Sequence, residues 1–428
     1  MQDLVIKSGR DIGSRIVIIA VVVATLLIAY FGIKWQLGDM LATLTDPANP
    51  QAAEVADLAL KVAPSDPKAA SLRARIGPDE SSDETRSAVE MAEETVRLSP
   101  NDYRWRIELA RNLANDGQVE RAESEFKRSI DFAPNYAVCS WYYGNFLLRQ
   151  NRSEEAIAQF KLAASNDPTY RIEALSLLWD VSGKDVALIE SVAGDAPENM
   201  AYLSLFFASR GRGNDALRNW DRLSDEQKLR WRTTERVMAE GLFQQKRFPE
   251  ALDFSRQLGD DPDALFQTVT NGSFENSIEL SPREQFGWQI ARGDARLDIA
   301  ADGKVAFDGR RSLRLTFKSY ARPSLSNVVE TIATEPESRY RLTFLVRTEN
   351  LKTSAGPMID VANACDTISI ARSSQFPNGT TDWQHLSIDF TTESCSGILI
   401  RTIRESCGGD ACPISGIVWY DGFVLSRL

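Results

Sequence analysis

The spacing of apolar residues divides the chain into three stretches. From Ile16 to Ile33 (IVIIAVVVATLLIAYFGI) no residue is charged, and as a helix this run is about 27 Å long, close to the hydrocarbon thickness of a bilayer. From Pro47 to Leu265 apolar residues recur at three- and four-residue intervals broken by Gly, Asn and Pro, the pattern of short amphipathic helices. From Asn271 the pattern becomes alternation, in Ser312–Phe317, Tyr340–Val346, Trp383–Phe390 and Ile398–Ile403, with Gly, Pro, Asn and Asp between the runs. About eight or nine short strands are expected, arranged as a sandwich or jelly roll. In Tyr340–Val346 the core face is Tyr340, Leu342, Phe344 and Val346; Arg341, Thr343, Leu345 and Arg347 take the other face.

The apolar run predicts a membrane helix over 16–35, with Tyr30 and Trp35 at the far interface. A cleaved signal peptide is the rival reading, but its apolar core would be shorter, and Ile33-Lys34-Trp35-Gln36 is a poor cleavage context. Lys7, Arg10 and Arg15 precede the run and Lys34 alone follows it closely. The positive-inside rule therefore puts residues 1–15 in the cytoplasm and the body outside. The expectation is a single-pass anchor in a bacterial inner membrane with a periplasmic body.

Within the helical stretch Pro100, Pro134 and Pro168 stand 34 residues apart. Each interval carries the same grammar: Leu109-Ala110, Leu113, Gly117, Ala122 and Phe126, then Tyr143-Gly144, Leu147, Asn151, Ala156 and Phe160. A period of 34 with A-x3-F before Pro resembles the tetratricopeptide repeat, one helix–turn–helix per period. The family's first-helix Trp is replaced by Arg106 and Ser140, with Trp105 and Trp141 one position away. Ala52, Ala56 and Ala59 before Pro64, and Ala88 and Ala92 before Pro100, echo the second helix; Gly77-Pro78 to Ser82 is a loop. Gly211, Ala216 and Trp220, then Phe248, Ala251 and Phe254, mark two eroded units. Roughly five or six helix pairs over 47–265 are expected. The resemblance implies that first helices line a concave groove, presenting Arg104, Arg111 and Asn115, then Trp141, Asn145 and Arg149. Asn and Arg there suit peptide backbones and carboxylates, with a solvated helix face as the bland alternative.

The last stretch opens with Asn271-Gly-Ser-Phe-Glu275, Gly287-Trp288 and Ala291-Arg-Gly-Asp294, and closes with Val418-Trp-Tyr-Asp-Gly-Phe-Val-Leu425; Asp308-Gly309 and Trp383 lie between. This order resembles carbohydrate-binding modules of the galactose-binding-like jelly-roll superfamily, over 266–428. The resemblance implies a structural calcium at Glu275 and Asp421, completed by backbone carbonyls. It also implies a glycan cleft using Arg292, Tyr320, Glu330, Arg347 and Arg401. Tyr320 is the stacking platform, because Trp288 and Trp383 match positions that pack structurally. Where the family carries a binding Trp between Tyr320 and Asn327, this chain has Ser324-Leu325.

Charge narrows the partners. The net charge is −11, of which by count about −9 lies in 47–270 and about −2 in 271–428. An acidic solenoid gains nothing from phosphate counterion release, so nucleic acid is not an expected partner. One histidine, His385, excludes HExxH zinc sites and argues against a Ser/His/Asp triad. No pair of carboxylates is placed across a cleft as a glycosidase needs, so no enzyme is expected.

Four of the five cysteines, Cys365, Cys395, Cys407 and Cys412, fall in the last stretch. Cys407-Gly-Gly-Asp-Ala-Cys412 can close a small loop, and Cys365 is paired with Cys395, which suits an oxidising compartment. A zinc site is the competitor, but C-x4-C without a second close pair fits it poorly. Cys139 is read as a small buried apolar residue. Anchor–repeat proteins of this style resemble accessory subunits of O-antigen or exopolysaccharide systems. The expected partners are thus the membrane, an envelope protein and a glycan; the alternative is a scaffold that binds protein alone.

Overall fold

The protein, seen as a computed structural model, is described over residues 12–76, 87–278, 284–291, 295–320, 325, 328–405, 407 and 412–428. It forms two compact units, Met1–Ala193 and Gly194–Leu428. The first unit holds α1 (Ile12–Leu44), α2 (Ala52–Val62), α3 (Pro67–Ile76), α4 (Ala88–Leu98), α5 (Tyr103–Asn115), α6 (Val119–Phe132), α7 (Ala137–Arg149), α8 (Ser153–Asn166), α9 (Pro168–Val181) and α10 (Val186–Ala193). The expected loop at Gly77-Pro78 to Ser82 lies outside the described residues.

Helix α1 is long and apolar enough to cross a membrane, and its apolar side chains from Ile16 to Ile33 are exposed. It does not end where the apolar run ends. Its last turns pack against α2 and α3, so the helix supplies the missing first member of the earliest pair. The seam is built from alanine: Ala42, Ala56, Ala59 and Ala69 are buried with Leu72, and Lys68 Nζ reaches Asp39 at 2.7 Å. Gly38 makes the approach possible. A Cβ there would overlap the Ala63 side chain and stand 3.2 Å from the Ala59 carbonyl oxygen.

The repeat grammar produces the expected pairs, with α5 on α6 and α7 on α8. Ala122, Phe126, Ala156 and Phe160 are fully buried. Phe126 meets the next unit at Phe146, ring centroids 5.1 Å apart. Gly144 lets α7 approach α8; a Cβ there would come within 2.9 Å of the Phe160 ring. At the family's Trp position Arg106 is buried, donating Nε and Nη2 to the Pro100 carbonyl (3.0 and 2.6 Å) and Nη1 to Glu125 at 2.5 Å. A guanidinium satisfied in this way replaces the lost ring. Cys139 is a free, buried thiol whose pKa burial pushes up to about 11.

The second unit holds α11 (Pro197–Ala208), α12 (Gly213–Trp220), α13 (Asp225–Arg230), α14 (Arg232–Gln244) and α15 (Phe248–Leu258), together with ten strands among the described residues. These are β1 (Gln289–Ile290), β2 (Leu297–Asp302), β3 (Ser312–Tyr320), β4 (Val328–Ala333), β5 (Arg339–Thr353), β6 (Pro357–Asn363), β7 (Ser369–Arg372), β8 (Gly379–Thr391), β9 (Gly397–Arg404) and β10 (Ile414–Arg427). They form two antiparallel five-stranded sheets, β1-β4-β9-β6-β7 and β2-β3-β10-β5-β8. Tyr340, Leu342, Phe344 and Val346 face the core between them, as their alternation requires. Phe423 stacks on Phe344 at 5.0 Å and its amide donates to the Gly272 carbonyl, joining the last strand to the opening loop.

The last helices belong to the sandwich physically. Phe248 packs where a side chain on Gly397 would be, and Phe243 meets Phe286 edge-on at 5.3 Å. The buried Asp261 accepts from the Phe286 amide (3.0 Å), the Gln285 amide and Ser255 Oγ. Cys365 pairs with Cys395 and Cys407 with Cys412.

Replacing Gly38 by Ala should destabilise the protein, although Ala is favoured over Gly in a helix by about 1 kcal/mol. Gly32→Ala, where no atom lies within 4 Å of the new Cβ, should not. Urea unfolding of the full chain in detergent compares the two; equal midpoints would mean that the seam is not tight.

Candidate functional site

On the helical array, the face carried by α5 and α7 is a run of rings and guanidiniums. Tyr103 and Tyr136 stand 5.0 Å apart, Trp141 lies between Phe160 and Tyr170 at 5.3 and 5.6 Å, and Arg111 lies over Tyr142 at 5.0 Å. Of the six residues expected in the groove, Arg111 and Trp141 join this run. Arg104 is turned back on Asp102, the cap of its own helix, with Nη2 at 2.6 Å, and that ion pair lowers the Asp102 pKa. Asn145 Nδ2 is spent on the Trp141 carbonyl at 2.9 Å. Asn115 and Arg149 are exposed near the ends of their helices. Tyr103, Tyr136 and Tyr170 were visible in sequence as the tyrosine that follows each repeat proline, in Pro134-Asn-Tyr136 and Pro168-Thr-Tyr170.

The expected glycan cleft is not assembled as one site. Arg292 lies outside the described residues. Tyr320 is 2% exposed and packs against Phe317 in the core. The left-handed backbone at Ser319 (φ 55°) breaks the alternation of β3 and turns the ring inward. Glu330 shares the inner face with Val328 and Ile332 because a strand has period two. Its Oε1 accepts from the Thr270 amide at 2.6 Å, and its Oε2 is buried with no hydrogen-bond partner among the described residues. Burial pushes its pKa well above the ordinary carboxyl range.

The two remaining arginines lie on different sheets. Arg347 is on the outer face of the second sheet, over Trp419 at 5.8 Å and 3.8 Å from Asp382. Near it, Phe307 meets Trp383 and His385 edge-on at 6.1 and 5.4 Å, so Trp383 sits at a surface cluster rather than in the sandwich core. Arg401 is on the outer face of the first sheet.

That outer face carries a row one residue wide. Gln289 is paired with Val329, Val329 with Arg401, Arg401 with Asp360 and Asp360 with Arg372, crossing all five strands. At the ordinary strand spacing the row is about 19 Å long. Helix α15 covers the sheet at Gly397, four residues before Arg401 on β9. Asp360 and Arg372 were not singled out from sequence for binding, because nothing there showed which residues stand opposite one another on β6, β7 and β9.

Glu275 and Asp421 both hold the loop 307–311. Glu275 Oε1 accepts from the Arg310 and Arg311 amides, each at 2.8 Å, which lowers its pKa. Asp421 accepts from the Phe307 and Gly422 amides (2.8 and 2.7 Å), while burial raises its pKa. Glu275 Oε1 and both carboxylate oxygens of Asp421 are thus engaged by backbone amides. Among the described residues no group of three or more His, Cys, Asp or Glu converges as a metal site.

No family model and no curated protein matches the chain. Among solved structures, the chain is similar to MamA from Desulfovibrio magneticus RS-1, at 20% identity over 32% of this chain and 75% of that one, with a TM-score of 0.26. Another MamA structure, MSR-1 C2, is matched over 66% of its own length and 27% of this chain, at 20% identity and a TM-score of 0.22. The CBM22-1 xylan-binding domain of Paenibacillus barcinonensis Xyn10C is matched at 13% identity over 36% of this chain and 91% of that one, with a TM-score of 0.25. A CBM4 structure is matched at 13% identity over 37% and 99%, with a TM-score of 0.27.

The protonated carboxyl inside the sandwich gives a pH signature. Burial raises the Glu330 carboxyl in the fold, so from about pH 4.5 upward the unfolded chain releases this proton before the folded state does. Its contribution to stability therefore falls as pH rises from there toward neutrality. Glu330→Gln should match the natural protein at pH 4 and be the more stable of the two at pH 7.5 in urea unfolding. An unchanged difference between the two pH values would show that Glu330 is ionised in the fold.

Proposed function

We propose that the protein is a membrane-anchored, periplasmic scaffold of cell-envelope polysaccharide assembly or export, of the O-antigen or exopolysaccharide kind. It acts by binding and not by catalysis. The helical array takes a protein partner on its face of rings and guanidiniums, and the sandwich takes glycan. The observation that carries the glycan part is the polar row across the first sheet, a line of regularly spaced side chains suited to an extended polymer. The two disulfides support a body held in an oxidising compartment. A helix that enters the array without a break supports an anchor at the membrane.

A second reading, a scaffold that binds protein alone, is favoured by the α5–α7 face, where aromatic and Arg side chains are grouped as at protein interfaces. Affinity electrophoresis of the full chain in detergent through gels containing bacterial surface polysaccharides separates the two. Retardation that is lost in Arg401→Ala and kept in Trp141→Ala supports the glycan reading. No retardation by any polysaccharide leaves the protein-only scaffold.

A further inference from the structure

Charge on the row narrows the class of glycan, an inference that rests on the glycan reading above. Asp360 is fully buried and lies between two arginines. Its Oδ1 accepts from Arg372 Nε at 3.1 Å and from Ser369 Oγ, and its Oδ2 from Arg401 Nε at 2.7 Å. Arg401 Nη2 donates to the Thr367 carbonyl at 3.1 Å. Both Nη groups of Arg372 and the Nη1 of Arg401 have no protein partner among the described residues. The side chains remain 46% and 23% exposed.

Two guanidiniums on one carboxylate leave one positive charge uncompensated. A purely structural tie between β6, β7 and β9 would need one arginine, because those strands are already hydrogen-bonded to each other. The second brings like charges together, which is unfavourable until an anion arrives. The row also carries no aromatic ring, so it has no stacking surface for neutral sugar faces. What it offers is a pair of planar forks, held in place by Asp360, with outward N–H groups that match a planar carboxylate.

We propose that the outer face of the first sheet binds a carboxylate-bearing glycan, with one sugar carboxylate seated between Arg372 and Arg401 and Asp360 positioning both. Gln289 and Val329 continue the row and take the neutral part of the chain.

The test measures binding of the full chain in detergent to fluorescently labelled oligogalacturonate and to a neutral xylo-oligosaccharide of equal length, by anisotropy. The acidic oligomer should bind at least about tenfold tighter, in line with the strength of charged hydrogen bonds, and should weaken as salt is raised. Arg372→Gln, at a half-exposed position, should lose about tenfold for the acidic oligomer and leave the neutral one unchanged. Arg341→Gln, whose partner Asp389 is on the other sheet, should bind as the natural protein does. Equal binding of both oligomers, or no effect of Arg372→Gln, overturns the anionic class and leaves the glycan reading standing. Equal displacement by inorganic phosphate and by free galacturonate overturns the carboxylate assignment. Binding of neither oligomer removes both the inference and the glycan reading on which it rests.

Discussion

The missing side chain at Gly38 is the constraint on which the first unit of the molecule depends. Because a Cβ there would collide with Ala63, only glycine lets α1 lie close enough to α2 and α3 to share their alanine seam. The apolar span therefore runs into the first helix pair as one rigid element rather than through a flexible linker. A tether would leave the repeats free to sample any distance from the bilayer. A continuous helix would instead fix their distance from it, as the proposed scaffold role requires.

In the sandwich the governing constraint is the period of two along each strand. It sends Val328, Glu330 and Ile332 inward and leaves Arg401 and Asp360 outward on neighbouring strands. Inside, burial disfavours the charged form and pushes the Glu330 carboxyl well above the ordinary carboxyl range. Outside, the buried Asp360 is tolerated because its charge is compensated, with Arg401 Nε at 2.7 Å. A carboxyl on each of the two faces of one sheet thus has a different chemistry.

How much of this was legible in the sequence follows from the same two rules. The 34-residue period placed Ala122, Phe126, Ala156 and Phe160 in the interior, and the alternation in Tyr340–Val346 placed four core residues, because both patterns are local. The glycan residues were less legible. Strand alternation alone would have turned Glu330 inward with Val328 and Ile332, whereas Tyr320 depends on one left-handed residue, Ser319, that sequence does not announce. Registry was also hidden: nothing in the order of residues says that Asp360 stands opposite both Arg372 and Arg401. The length of α1 was underestimated because Lys34, Gln36, Gly38 and Asp39 interrupt the apolar run without interrupting the helix.

Whether α1 holds the body outside the cytoplasmic membrane is open to direct measurement. Protease added to intact spheroplasts, with fragments mapped by mass spectrometry, tests it most directly. An exported body predicts cleavage beyond Leu44 and protection of the segment before Ile16. Digestion of that N-terminal segment with the helical array and the sandwich left whole would contradict it, and with it the periplasmic partner and the glycan.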